Sequence, residues 1–183
     1  MSAPGRHVLY FALQPPADAA AAAHRRLEAL RARVGLTARA IAASRLHVSL
    51  HPLGAFRRPP GAVVEKAAGV VEGLAARPFV ISFNRIGAWP SGASPWPVTL
   101  WGDEGVIGAD ALQASLHRAL VRAAMASRRE ARITPHMTLA YDRGHAPETL
   151  VEPVSWRVTE FVLVHAVHGE GRYDIVGRFP LSG

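Results

Sequence analysis

The 183-residue chain is 49% hydrophobic and 19% charged, which is enough apolar material for one sizeable core and not the composition of a disordered segment. It contains no cysteine, which excludes disulfide scaffolds, thiolate metal sites and cysteine nucleophiles. Its net charge of +7 rests on arginine, with Lys66 the single lysine, and suits an anionic partner.

Residues 7–13 are a short run of strand formers closed by Gln14-Pro15-Pro16. Asp18 is read as the N-cap of a helix over 18–34, with Ala23, Leu27, Leu30 and Val34 at helical spacing and Gly35 as its stop. Residues 46–53 alternate as a strand. Pro59-Pro60-Gly61 then breaks the chain before a second helix at about 62–76, and 79–86 reads as a strand. A Pro/Gly/Ser loop over 87–97 leads into a strand at 98–101 and a third helix at about 110–126. Strands are expected at 136–141, 156–167 and 173–179. Short connections and irregular mixing of helices and strands favour an α+β fold with antiparallel pairing, in one domain spanning 1–183. No apolar run reaches the ~20 residues of a membrane helix, and the stretch 8–13 is too short for a signal core. A cytoplasmic monomer without membrane association is the expectation.

Two of the strands carry one pattern. Leu46-His47-Val48-Ser49-Leu50 and Pro135-His136-Met137-Thr138-Leu139 are both His-x-Ser/Thr-Leu with an apolar x, 89 residues apart. Alternation sets His47 and Ser49 on one face, about 6.6 Å apart, with Leu46, Val48 and Leu50 on the other. His136 and Thr138 repeat the arrangement. Histidine titrates near neutrality, so a facing pair can hold one neutral and one protonated ring, a general base and a general acid. Hydroxyls beside them can hold phosphate oxygens. Neither motif contains the acidic ligand common in zinc sites, so no metal or other cofactor is expected.

These paired motifs resemble the signature of the 2H phosphoesterase superfamily, and the chain is similar to its bacterial RNA 2′,3′-cyclic phosphodiesterase, or 2′-5′ RNA ligase, branch. The similarity runs from Tyr10-Phe11-Ala12-Leu13 through the two motifs to Gly171-Arg172-Tyr173 and Arg178-Phe179-Pro180-Leu181. Three positions depart from it: Ser49 stands for a usual threonine, Pro52 for a common aromatic, and Tyr141 for a phosphate-binding arginine, with Arg143 nearby to compensate. The resemblance implies a bilobal, pseudo-symmetric α+β fold, two antiparallel sheets facing a central cleft with helices outside and one motif per lobe. It implies opening of 2′,3′-cyclic phosphates on RNA ends or nucleotides, His47 giving a proton and His136 taking one while Ser49 and Thr138 hold the phosphate. The alternative is a non-catalytic RNA- or nucleotide-binding module with a degenerate cleft.

Further candidates surround the motifs. His51, two residues past Ser49, is expected at the cleft edge as a substrate contact, together with Tyr141 and Arg143. Trp89 and Trp96 bracket the 87–97 loop, where an aromatic ring can stack a base. Arg57, Arg58, Arg128, Arg129 and Arg132 form a candidate phosphate-guiding rim. His165 and His168 fall on opposite strand faces, a poor metal pair.

Overall fold

The computed structural model describes residues 6–89, 94–129 and 133–182. Among them the elements run β1 (Arg6–Leu13), α1 (Ala17–Val34), β2 (Val48–Phe56), α2 (Gly61–Val71), β3 (Phe79–Ala88), β4 (Trp96–Trp101), α3 (Ile107–Arg122), β5 (His136–Asp142), β6 (Thr149–Val158), β7 (Glu160–His168) and β8 (Arg172–Pro180). Alanine, the strongest helix former, fills the first half of α1, and Ala20, Ala23, Leu27 and Leu30 recur at the spacing that buries one stripe. Gly35 ends the helix in the left-handed region at φ 73°, which a side chain would resist. The N-cap is Pro16 rather than Asp18, whose carboxylate accepts the N–H of Ala19 inside the first turn. The cap thus lies two residues earlier than the sequence suggests.

Every strand pair is antiparallel, in the order β6-β3-β4-β5-β2-β1-β7-β8. In place of the two separate sheets expected, there is one eight-stranded sheet. Its four-stranded halves meet through a single residue pair, Val48 with Met137. A fourth strand also follows α3, because the stretch expected as one strand over 156–167 breaks at Thr159. Its first part belongs to β6, where Glu152 and Pro153 interrupt the alternation that marks a strand in sequence.

All three helices bury into one core on one face of the sheet, against Leu9, Phe11, Leu50, Phe83, Leu100, Met137 and Leu139. Gly108 of α3 sits so close to β3 that a Cβ there would lie 2.3 Å from the Phe79 ring. The opposite face carries a smaller apolar patch of Ala12, Val162 and Val164 with Tyr10, Tyr173 and Ile175. Among the described residues no helix covers this side, the open face of the sheet. No helix among the described residues is long and apolar enough to cross a membrane.

A buried carboxylate ties the helical layer to the end of β5. Asp142 accepts the N–H groups of Thr37 at 2.9 Å, Ala38 at 2.6 Å and Gly144 at 2.7 Å. Burial opposes its charge, but these backbone donors outweigh it and hold the carboxyl below its usual range. Its stabilisation is therefore present above the unfolded carboxyl value near 3.9 and is lost as pH falls through the lower folded value. Asp142→Asn turns one acceptor into a donor facing backbone N–H groups, and should cost about 1.5–3 kcal/mol in urea unfolding at pH 7. The gap from wild type should narrow below about pH 4. A gap that is constant with pH would remove the carboxylate's charge from the account.

Candidate active site

The short 3-10 turn Ala43–Arg45 delivers the chain to β2, and His47 stands immediately before that strand. His136 opens β5. Val48 and Met137 pair across the sheet's centre and are fully buried on the helix side. Carried one residue either way, this antiparallel register sets His47 opposite Thr138 and His136 opposite Ser49, all on the open face. All four side chains are half-buried. The structure thus brings together the four residues that the two motifs single out.

The histidines are held alike. His47 Nδ1 lies 2.8 Å from the carbonyl of Arg45, and His136 Nδ1 lies 2.8 Å from the carbonyl of Thr134. A carbonyl can only accept, so each Nδ1 carries the proton and donates. When either ring is neutral, its Nε2 is then the basic nitrogen. The site offers two imidazoles with the same tautomer, one from each half of the sheet.

Their surroundings differ. His47 packs against Tyr10 and Tyr173, with ring centroids 5.1 and 5.8 Å away. Burial lowers its pKa from the usual histidine value, the Arg45 carbonyl opposes the shift, and the charges of His136 and Arg45 add to it. His136 packs instead on Trp89 at 4.7 Å, and Trp89 leans on Trp101. Burial also pushes the Tyr173 phenol up to about 12 and raises Tyr10 further, so both stay neutral donors. Thr99 Oγ1, opposite Thr138, is buried without a hydrogen-bond partner.

The other sequence candidates separate. His51 does not share the face of His47 and Ser49, which corrects the simple alternation. The ladder skips Leu50, so Ala12 pairs with Ser49 but Phe11 pairs with His51, and this bulge turns the imidazole into the helix side. There His51 is 4% exposed, with its Nε2 3.2 Å from His117 Nδ1 on α3. Both line a hollow of about 720 Å³ on the helix side, away from the histidine pair. A matching bulge at Leu139 lets Ala140 face the core and returns Tyr141 to the open face, where it is 54% exposed and within electrostatic reach of Tyr10. Arg143 is exposed in the turn after β5, its backbone N–H on the Asp142 carboxylate.

Trp96 begins β4 at the level of Asp142. Arg57 and Arg58 are exposed just past β2, Arg128 lies beside α3 with His117 and Arg118, and Arg129 is exposed. Arg132 and residues 90–93 of the loop lie outside the described residues. His165 bonds His7 Nδ1 through its Nε2 at 2.9 Å, and His168 is exposed at the end of β7. Sequence reasoning passed over Tyr10, Tyr173, Thr99 and Arg45. Tyr10 had one legible signal, a hydroxyl on a strand position between apolar Leu9 and Phe11, whereas Tyr173 lies between Arg172 and Asp174 and had none. Among the described residues no three His, Asp or Glu side chains gather as a metal set.

The profile of the 2′-5′ RNA ligase superfamily matches residues 6–170. The chain belongs to that family. Escherichia coli LigT in its apo form is similar at 25% identity and a TM-score of 0.72, over 98% of this chain and 99% of that one. LigT complexed with ATP is similar at 26% identity and a TM-score of 0.69, over 97% and 99%. Kluyveromyces marxianus Usb1 shares the fold alone, at 10% identity and a TM-score of 0.52, over 96% and 98%. Comparison with curated protein sequences finds no match.

Packing against the tyrosines generates a direct expectation for His47. In a histidine NMR titration its midpoint should fall below the ordinary value near 6.5. Tyr10→Ala opens the ring to water and should move that midpoint upward. An unmoved midpoint would mean that burial is not what lowers it.

Proposed function

We propose that this family member hydrolyses 2′,3′-cyclic phosphodiesters on RNA ends or nucleotides, without a metal, through His47 and His136 as an acid–base pair. The observation that carries the reading is the matched pair of imidazoles, each oriented by a backbone carbonyl through Nδ1 and each left with Nε2 for proton transfer. The LigT structures that hold 3′-AMP and phosphate support a nucleotide phosphate as the ligand class.

In this reading Ser49 and Thr138 hold the non-bridging oxygens. A neutral imidazole takes a proton from water, whose oxygen attacks phosphorus. The ribose oxygen in line with it departs and receives a proton from the imidazolium opposite. The phosphorus gains one P–O bond, loses another, and the two rings exchange charge. A 5′-hydroxyl in the place of water gives a 2′-5′ linkage by the same two transfers.

Burial of His47 against Tyr10 and Tyr173, with the charge of Arg45 beside it, favours the neutral ring. We therefore assign His47 as the base and His136 as the acid, exchanging the roles that the family resemblance implies. The arrangement fits the cyclic ester because one phosphate can meet both rings and both hydroxyls at the sheet's centre.

Purified protein should turn over 2′,3′-cyclic AMP at the same rate with and without EDTA, and kcat/KM should be bell-shaped in pH. His47→Ala should abolish the low-pH limb and His136→Ala the high-pH limb, each with a loss of about 10²–10⁴-fold. Limbs lost in the opposite order would restore the family roles. Binding without turnover would leave the binding-module reading, and loss of rate on chelation would contradict the metal-free mechanism.

A further inference from the structure

A phosphate held between His47 and His136 brings negative charge to the open face, and the motifs meet it only with the imidazolium that gives up its proton. The residues two places past the motif hydroxyls' leucines are Pro52 and Tyr141, one apolar and one phenolic. Arg143 follows in a turn beyond the strand.

Arg45 stands elsewhere in sequence but beside the site. It closes the 3-10 turn before β2, and its carbonyl is the group that orients His47. Its residue is exposed, and its guanidinium makes no ion pair or hydrogen bond with the described residues. Arg31, Arg85, Arg172 and Arg178 each pair with a carboxylate. The charge of Arg45 nonetheless acts on Tyr10, His47 and Tyr173, which all face the open side. An exposed arginine whose charge acts on half-buried neutral donors suits an oxyanion, because its planar fork matches two phosphate oxygens.

Tyr173 adds an independent sign. Its Oη is buried without a hydrogen bond of standard geometry, and the Tyr10 phenol is the hydroxyl that interacts with it. Tyr10 is the donor of that pair, so the Tyr173 O–H is left without an acceptor of its own and can donate to a ligand oxygen. Tyr173 packs on the same ring of His47 that the Arg45 carbonyl holds.

We propose that Arg45 and Tyr173 bind the substrate's phosphate from the His47 side, Arg45 as a two-toothed cation and Tyr173 as a single donor. The assignment rests on the reading above for its substrate and adds the residues that set affinity for it. The phosphate is gripped from the β1–β2–β8 side, while His136 and the tryptophans face it from the other half of the sheet.

The test uses the full chain and two readouts, the Kd for inorganic phosphate by calorimetry and the steady-state constants for 2′,3′-cyclic AMP. R45Q should raise the phosphate Kd and KM by about 10- to 100-fold. R45K should recover part of the loss, since lysine keeps the charge without the fork. Tyr173→Phe should raise both by about 2- to 10-fold. Unchanged phosphate Kd and KM in R45Q, with wild-type turnover intact, would overturn the assignment and leave the proposed activity standing. Phosphate binding that depends on Arg45 in a wild-type protein without turnover would do the reverse. If R45Q fails to fold, R45K decides: a rise of threefold or more supports the assignment, and wild-type constants refute it.

Discussion

One backbone pairing, Val48 with Met137, joins the halves of the sheet, and the site depends on it. Antiparallel strands are related by a local two-fold axis, so two copies of His-x-Ser/Thr that flank such a pair meet head to tail. Each imidazole then lies opposite the hydroxyl of the other motif. Both paired side chains are fully buried in the helix-side core. A slip of one residue in either strand would drive a histidine into that core and a large apolar group out of it, and burial prevents the slip. The matched bulges at Leu50 and Leu139 complete the symmetry, each ending the alternation just beyond the hydroxyl.

The symmetry of the backbone does not extend to the surroundings. His47 is packed between two phenols and lies near a guanidinium, whereas His136 rests on a tryptophan pair. Two identical motifs could trade roles freely in sequence, and it is these neighbours that distinguish them. Desolvation and a nearby positive charge both disfavour imidazolium, so the two act in one direction on His47. In the proposed mechanism the distinction between base and acid is thus located in β1, β8 and the turn before β2, not in the motifs.

Much of this was legible in the residues. The alternation around His47 and His136, the apolar stripe of α1 and the Gly35 stop each follow from a local period or a single backbone preference. What was illegible needed a partner strand to define it. The bulge that removes His51 from the site exists only as an offset between β1 and β2, since residues 46–51 alternate without interruption. Strand β6 was hidden because Glu152 and Pro153 break its pattern, although pairing with β3 sustains it. The joining of the halves into one sheet hangs on one residue pair, which no periodicity announces. Tyr173 and Arg45 lie 126 and 2 residues from His47, and neither distance in sequence says that both act on its ring.

The central claim is that the two imidazoles work on one phosphate as a unit. A double-mutant cycle on turnover of 2′,3′-cyclic AMP tests it directly, comparing wild type, His47→Ala, His136→Ala and the double variant, with phosphate binding and thermal unfolding checked in each. Groups that act together are strongly non-additive, so the double variant should lose little more than the worse single variant. A double loss equal to the product of the single losses would show two independent contributions, and would contradict the paired mechanism.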